Sequence, residues 1–426
     1  MLIWYTQKDF QGGIMKSFRW IVISLAFIAT IINYLDRSAL SYAITPLQKT
    51  FGLTDTDFGL IASAFGLGYL IMTIVGGVLV DKFGARKTWS LFGALWSISC
   101  ALIGLATGFI WLFIFRMLLG FTEGPGFPAL TRVTADWLPL KERARALAFG
   151  LAAVPFASVL GAPLISHLIA MFGWRIMFII LGIFGIIWAV IWYVIFRDQP
   201  EQSYFVSKSE LHHIRSEQIM PVTQDKTSWH FMLFNPNLLA NNYAFFAFGY
   251  LLFFAITWLP GYLEQTYHMQ IKEVGWFLVG PWLTATFLIL LGGIISDWLW
   301  HKTHSIRIAR SHLIWICQVI SAFCFIPVLL THSLVVAIIW ISLGVGFGLM
   351  PNAAFYAINA DLAYDRAATS LGITDAAFAS AGILAPFLTG WLANLTGNFF
   401  APILLMIGLT LSSASVIVLF QHPDRV

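Results

Sequence analysis

The stretch GGVLVDKFGARK, residues 76–87, places a polar, basic loop between two apolar segments. The stretch GGIISDWLWHK, residues 292–302, repeats its two glycines and the aspartate four positions later. A second pair of matching stretches has Gly120-Phe121 with Pro125 in one half and Gly346-Phe347 with Pro351 in the other. Two matches at corresponding places indicate two halves of similar fold.

The composition places the chain in a membrane. Of the 426 residues, 59% are apolar and 10% are charged, and the mean hydropathy is +0.81. A soluble domain has about 25% charged residues. A net charge of +4 without a strongly basic segment excludes a nucleic-acid partner. The three cysteines, Cys100, Cys317 and Cys324, lie in apolar runs and predict no disulfide framework.

The apolar segments predict an all-α membrane protein with twelve transmembrane helices in two six-helix pseudo-repeats. A helix needs about 20 apolar residues to cross the bilayer. The first segment lacks a signal-peptide cleavage site and is interpreted as a retained helix. The predicted spans are residues 19–45, 57–80, 87–107, 109–135, 144–170, 173–196, 237–263, 273–296, 310–331, 333–360, 368–394 and 396–420.

The lysines and arginines predict the orientation. With both termini inside, 19 of the 24 fall in the inner loops, tails and helix ends. The outer loops hold three, Lys49, Arg175 and Lys272, and two more lie within spans. Basic residues accumulate on the cytoplasmic side of membrane proteins. We therefore predict cytoplasmic N and C termini.

The long polar stretch after the sixth span predicts the domain division. We assign an N-terminal extension, a first bundle, a cytoplasmic linker, a second bundle and a C-terminal tail, at residues 1–18, 19–196, 197–236, 237–420 and 421–426. Met15 is a possible true start, which N-terminal sequencing would test.

Four charged residues lie deep in the first half: Asp36, Arg37, Arg116 and Glu123. Each costs about 2.5–3.5 kcal/mol to insert at mid-membrane. Their charges sum to zero, which suggests pairing in a polar cavity. Asp36 and Arg37 point about 100° apart on a helix, so we expect Arg37 to face the cavity and Asp36 a neighbouring helix. A static ion-pair cluster is the alternative, although buried pairs stabilise less than apolar packing does.

Several motifs resemble the major facilitator superfamily. The loop motif of that family fits at Gly77, Asp81, Lys82, Gly84, Arg86 and Lys87, and Arg116-x-x-x-Gly120 is similar to its span 4 motif. The stretches NYLDRSALS (33–41), FTEGPGFPA (121–129) and WLPGYL (258–263) resemble the anion:cation symporter branch, which includes sugar-acid permeases. Branch members often have Asn in span 11 three residues before a Gly, where this chain has Ala379 before Gly382.

The resemblance implies a proton- or sodium-driven carrier of organic anions. It implies that Arg37 and Tyr69 contact the substrate carboxylate, and that Asp36 and Glu123 carry protons with Arg116 as their partner. From spacing alone, Asn33 shares the helical face of Arg37. Asn352 follows Pro351, where span 10 is expected to break. With Asn33, it is a further candidate for substrate binding.

The loop residues form a candidate gate. Gly77, Asp81, Arg86 and Lys87 are its predicted members, and its ion pairs would hold the outward-facing state. Asp375 in span 11 is either solvated near the helix end or functional.

The expected function is import of a small organic anion, such as a sugar acid, by proton symport through alternating access. Two protons per monoanion would move one positive charge, which gains about 2.3 kcal/mol per 100 mV. An alternative is a proton-coupled exporter or antiporter, although Gly161-Ala162-Pro163 is only a fragment of the exporter signature in span 5. A membrane sensor would need a signalling domain, for which the linker and tails are too short.

The sequence predicts no catalytic residue, no metal site and no cofactor. His301 and His304 lack ligand partners at metal spacing. We expect a proton gradient rather than sodium as the driving force, and a monomer in a bacterial inner membrane whose partners are the lipid bilayer and the organic anion.

Overall fold

A computed structural model describes residues 17–215, 228–363 and 367–425. The secondary-structure elements in these ranges are helices joined by short connecting segments. The predicted N-terminal extension to residue 16, including Met15, lies outside the described residues, as does part of the predicted linker.

Six helices form the first half. Thr54 caps the third of them by accepting a hydrogen bond from the Asp57 amide. Two helices are interrupted by a glycine with positive φ, at Gly84 (φ 82°) and Gly173 (φ 80°), a conformation that glycine adopts at little cost. The helices are α1 (Phe18–Tyr42), α2 (Ile44–Phe51), α3 (Asp55–Gly104), α4 (Phe109–Glu123), α5 (Gly126–Trp137) and α6 (Leu140–Ile195).

Two short helices in the linker and eight in the second half follow. The predicted break of span 10 is present, because one helix ends at Leu349 and the next begins at Asn352. These helices are α7 (Lys208–Arg215), α8 (Trp229–Phe234), α9 (Pro236–Tyr267), α10 (Ile271–Phe277), α11 (Val279–Thr303), α12 (His312–Leu330), α13 (Leu334–Leu349), α14 (Asn352–Leu362), α15 (Ala367–Thr396) and α16 (Phe400–Phe420).

Nine helical stretches among the described residues are long and apolar enough to cross a membrane. One of them, Ala152–Ile195, runs through the break at Gly173, where the sequence predicted the end of one span and the start of the next. Predicted spans 3 and 4 are helical but do not form separate long apolar helices, since α3 continues across Gly84 and α4 ends at Glu123. The count of twelve spans and the cytoplasmic termini stay predictions.

The repeated glycines occupy equivalent places in the two halves. A Cβ on Gly76 of α3 would lie 2.8 Å from Pro125, at the α4–α5 junction. Gly292 of α11 packs even more closely on the Met350 carbonyl oxygen, at the α13–α14 junction. In each half, therefore, the repeated glycine lets a helix pack directly on the broken span beside it.

The halves are sealed together at one end of the bundle. We call the end that carries Phe18 and Phe420 the terminal face, and the end that carries Ile44 and Leu263 the opposite face. Near the opposite face, the Ser41 hydroxyl donates to the Ile256 carbonyl at 2.5 Å, and the Ser63 hydroxyl donates to the Ile383 carbonyl at 2.6 Å.

Two side-chain hydrogen bonds complete this seal. Thr45 of α2 donates to Glu264 of α9, and the Gln265 amide donates to Asp55 at 3.2 Å. Together with the two serine bonds, these are the hydrogen bonds that join the halves within the described ranges. The structure is therefore closed at the opposite face.

Candidate functional site

A buried ion pair lies in the first half. Arg37 of α1 donates from Nε to Glu123 Oε2 of α4 at 2.6 Å. The arginine side chain is 6% exposed and the glutamate side chain is fully buried. Two charges withdrawn from water depend strongly on each other, because removing either one leaves the other uncompensated.

Three aromatic rings surround the guanidinium. The Arg37 Cζ atom lies 4.6 Å from the Tyr34 ring centroid, 4.8 Å from that of Phe65 and 4.7 Å from that of Tyr69. A cation over an aromatic face is attracted by the ring quadrupole. The rings can therefore hold Arg37 in place when its carboxylate partner changes. Tyr69 lies beside Arg37, and its contact with a cargo carboxylate stays a prediction.

Arg116 binds backbone carbonyls. Its Nη1 donates to the Asp36 carbonyl at 3.3 Å and its Nη2 to the Arg37 carbonyl at 2.8 Å. The resemblance made Arg116 the partner of the two acids, whereas the glutamate pairs with Arg37. A helical carbonyl has a second lone pair, which can accept a bond beyond the one within the helix. Arg116 thus fixes the backbone of α1 at the two charged residues.

Asp36 points away from Arg37, toward α3. Its side chain is fully buried, and the Cys100 thiol of α3 lies beside the carboxyl. Neither carboxyl oxygen has a hydrogen-bond partner that meets standard geometry within the described chain. A buried carboxylate without donors is costly as an anion.

A small cavity lies against the ion pair. Its volume is about 10 Å³, which is room for about one water molecule. The Asn33 Nδ2 and the Glu123 Oε1, both buried, have no hydrogen-bond partner among the described residues. An organic anion therefore needs a rearrangement here. The cavity is lined by Thr30, Asn33, Tyr34, Arg37, Trp89, Glu123, Gly126 and Phe127.

The second half contributes two polar residues near the middle of the bundle. Asn352 is half-buried at the start of α14. Asp375 of α15 interacts electrostatically with the hydroxyls of Tyr34, Tyr69 and Tyr356. Asp375 therefore lies near the two tyrosines of the Arg37 site, which sequence reasoning did not establish. Its position within an apolar span was the available signal.

The predicted gate residues separate in the structure. Asp81 pairs with Arg132 at 3.3 Å rather than with Arg86 or Lys87. The turn at Gly84 instead brings the Arg86 amide to Asp198, at 2.9 Å.

Arg86, Lys87 and Gly77, the other predicted gate residues, do not contact Asp81 through an ion pair in the described structure. The Arg86 side chain donates to the Tyr193 carbonyl and stacks on the Tyr193 ring. Lys87 is exposed, and a Cβ on Gly77 would only touch Pro128. Arg86 thus holds the loop against the end of α6, whereas Asp81 pairs with Arg132 of α5.

The linker holds the start of α1 at the terminal face. Glu210 of α7 accepts from the amides of Phe18 and Arg19 at 3.0 Å. The Arg19 guanidinium also bonds Glu142 at 2.9 Å. This hydrogen bond holds the pKa of Glu142 below its ordinary value.

Comparison with known proteins identifies the family. A family model described as "Major Facilitator Superfamily" matches residues 26–386. The chain belongs to the major facilitator superfamily. It is 30% identical over 405 residues to the hexuronate transporter of Bacillus subtilis, covering 94% of each chain.

A second relative and a solved structure are also similar to this superfamily protein. It is 29% identical over 407 residues to the "probable sulfoacetate transporter SauU" of Cupriavidus necator, covering 95% of this chain and 94% of the relative. The crystal structure of a D-xylose-proton symporter aligns with a TM-score of 0.76 at 14% identity, covering 95% and 98% of the two chains. At that identity the likeness shows the fold alone. The protein is a multi-pass membrane transporter and not an enzyme.

Proposed function

We propose that the protein imports a small organic anion, a carboxylate such as a sugar acid, by proton symport through alternating access. The buried pair of Arg37 and Glu123 carries this proposal. A buried pair, in which each charge is left uncompensated when the other is removed, and which lies next to a small cavity, is suited to exchanging partners. The curated relatives named as hexuronate and sulfoacetate transporters support an anionic cargo.

Arg37 is the proposed anchor of the cargo carboxylate. A guanidinium binds a carboxylate through two parallel hydrogen bonds, and Arg37 uses only its Nε on Glu123. Protonation of Glu123 neutralises that partner and leaves the guanidinium for the cargo. Asn33, whose Nδ2 has no partner among the described residues, supplies a further donor at this site, and Tyr69 and Asn352 complete the proposed contacts.

Asp36 is the second proposed proton carrier. Its buried oxygens lack donors in the described structure, so it is costly as an anion and favours a proton. With Glu123 it provides two acids, and two protons with one monoanion transfer one net positive charge. That charge gains about 2.3 kcal/mol per 100 mV of membrane potential, a factor of more than ten in accumulation.

The hydrogen bonds that close the opposite face support alternating access. If the termini are cytoplasmic, closure at the opposite face blocks access from outside, as the inward-facing state requires. Asp81, Arg86 and Lys87 would then be expected apart from one another, as they are, and Gly77 and these residues would come together when the inner side closes. We further propose a bacterial cell membrane location, a monomer without cofactors, and protons rather than sodium as the coupled ion.

Uptake by purified protein in liposomes tests the proposal. D-glucuronate and sulfoacetate are offered outside, with an acid-outside pH gradient. We expect accumulation that collapses when the gradient is dissipated and that grows with an inside-negative potential.

Two variants and a control make the test specific. Arg37→Ala should abolish uptake, and Arg37→Lys should retain weak uptake because lysine cannot form the two parallel hydrogen bonds. Arg215→Ala, which removes an ion pair with Glu201 outside the site, is the control and should take up cargo as the native protein does. Accumulation driven only by an acid-inside gradient would instead support the proton-coupled antiporter or exporter. Unchanged uptake in Arg37→Ala would refute the anchor.

A further inference from the structure

The carboxylate of Glu123 has one oxygen that the ion pair does not use. Arg37 Nε donates to Oε2 at 2.6 Å. The other oxygen, Oε1, is buried and has no hydrogen-bond partner within the described ranges. Both residues line the small cavity beside the pair. Oε1 can therefore accept a hydrogen bond from a ligand in that cavity.

Three further polar side chains line the same cavity, and each is more than nine-tenths buried: Thr30, Asn33 and Trp89. Asn33 Nδ2 and Trp89 Nε1 have no hydrogen-bond partner among the residues described. The Thr30 hydroxyl donates to the Ala26 carbonyl at 3.2 Å, so its oxygen keeps lone pairs that can accept. With Glu123 Oε1, the cavity offers two donors and two acceptors.

This set of groups matches the bonding of a single water molecule. A water can accept two hydrogen bonds and donate two, and buried waters make about three bonds to polar groups that otherwise lack partners. The cavity volume of about 10 Å³ is the space of about one such molecule. A metal cation fits poorly, because two N–H donors and the Arg37 guanidinium line the same space.

Packing holds the indole of Trp89 in place. Its ring centroid lies 5.5 Å from that of Trp188 and 4.8 Å from that of Trp192. The indole nitrogens of these two neighbours donate to the Leu25 and Ala85 carbonyls, at 2.9 Å and 3.5 Å. Trp89 differs from them in keeping an N–H without a described partner. It is therefore a fixed donor on the wall of the cavity.

The cavity lies on the terminal-face side of the ion pair. Helix α1 begins at that face, and Thr30 and Asn33 come before Arg37 along it. At 1.5 Å per residue, Thr30 is about 10 Å nearer to the terminal face than Arg37 is. Trp89 also lies toward this face, since it follows closely on the Gly84 turn that packs on Asp198. The cavity therefore lies between Glu123 and the face that the inter-half hydrogen bonds leave unsealed.

We propose that this cavity is a water site through which Glu123 exchanges its coupling proton with the terminal face, and that Trp89 is a positioning residue of the site. The inference rests on the proposed proton symport. On release, the Oε1–H bond breaks, the water takes that proton and passes one of its own to the aqueous side. Uptake is the reverse. Because Oε1 does not bond Arg37, the proton comes and goes without displacing the guanidinium.

Liposome transport by the purified full chain tests the inference. Trp89→Phe removes the N–H and keeps an aromatic ring. We expect it to lower the initial rate of D-glucuronate uptake driven by a pH gradient several-fold. Counterflow exchange, in which the proton stays bound, should keep its rate. A purely structural defect would lower both rates together.

Trp96→Phe is the matched control. Trp96 is buried on the same helix, and its Nε1 also lacks a partner within the described chain, but the residue does not line the cavity. Both rates should stay native in this variant. Thermal unfolding verifies that each variant is folded, and Thr30→Val, which removes an acceptor from the cavity, replaces Trp89→Phe if that protein does not fold.

Infrared difference spectra between pH 8.5 and pH 5.5, recorded without cargo, observe the water itself. Protonation of Glu123 gives a carboxyl C=O band, identified by its absence in Glu123→Gln. We expect a water O–H band to change with it, and to move to lower frequency in water enriched in heavy oxygen. The water band should be lost in Trp89→Phe and kept in Trp96→Phe.

Two results would overturn the inference. One is a Trp89→Phe protein with the native ratio of gradient-driven uptake to counterflow exchange. The other is a native protein whose spectra contain no water band that responds to the oxygen isotope. Failure of the proposed function looks different: neither D-glucuronate nor sulfoacetate is taken up by the native protein, although the water band is present.

Discussion

Replacement of Glu123 by glutamine separates cargo binding from proton coupling. Glu123 and Arg37 are 2.6 Å apart, with side chains 0% and 6% exposed. Breaking a buried pair by removing one charge costs about 3–5 kcal/mol. Glutamine keeps an oxygen that can accept from Arg37 Nε, and three rings still contact the guanidinium. We therefore expect a smaller loss of stability, about 1–3 kcal/mol.

The same substitution should strengthen anion binding at high pH. In the native protein the cargo competes with an ionised Glu123 for Arg37. Above the pKa of that carboxyl, each pH unit lowers the anion affinity about tenfold, or about 1.4 kcal/mol. The glutamine cannot ionise, so this contribution to the pH dependence disappears and the variant binds more tightly at high pH.

Two assays measure these effects. Calorimetric titration with D-glucuronate across pH 5.5–8.5 gives the pH dependence of the affinity. Liposome assays compare counterflow exchange, which should persist, with accumulation driven by a pH gradient, which should be reduced because Asp36 is then the remaining proton carrier. Glu201→Gln is the control, since its partner Arg215 lies in the linker, and it should behave as the native protein. A Glu123→Gln protein that keeps both the native pH dependence and gradient-driven accumulation would refute the reasoning.

Three further predictions concern the seal, the gate and the linker. Gly59→Val should weaken closure at the opposite face, because its Cβ would lie 2.6 Å from the Pro386 carbonyl oxygen, and hydrogen–deuterium exchange of α15 should become faster. Asp81→Asn removes an ion pair to Arg132 whose side chains are 72% and 42% exposed. It should change the unfolding free energy by less than about 0.5 kcal/mol but slow exchange transport several-fold. Glu142 also contacts His213 of the linker helix α7 at 3.1 Å. Its lowered pKa predicts that this contact is complete above about pH 4.3 and is lost as the pH falls through the folded-state value. Hydrogen exchange of α7, corrected for the intrinsic rate, should rise there.

Helical periodicity predicted the directions of the charged side chains but not their partners. The 100° step between Asp36 and Arg37 was enough to place one toward a neighbouring helix and the other toward the site. Which helix supplies each partner depends on how α1 and α4 pack, and this is a tertiary property. The sequence could therefore not show that Arg116 reaches the carbonyls of Asp36 and Arg37.

The partners of the gate residues and the surroundings of Asp375 also depend on tertiary packing, so the sequence did not predict them. The loop motif contains Asp81 and its nearby bases, so adjacency in sequence suggested that they pair. The positive φ of Gly84 turns the loop toward Asp198 instead. Asp375 stood alone in an apolar span, and only the packing of α15 against the first half brings it near Tyr34 and Tyr69.

Liposomes loaded with a pH-sensitive dye test the central proposal most directly. They contain the purified protein and receive an inward gradient of D-glucuronate at equal internal and external pH, with the membrane potential clamped. Our account predicts that the interior becomes more acidic as the anion enters, and that Glu123→Gln carries the anion with less acidification, because Asp36 is then the remaining proton carrier. Anion entry with no pH change in the native protein, or with a more alkaline interior, would contradict it.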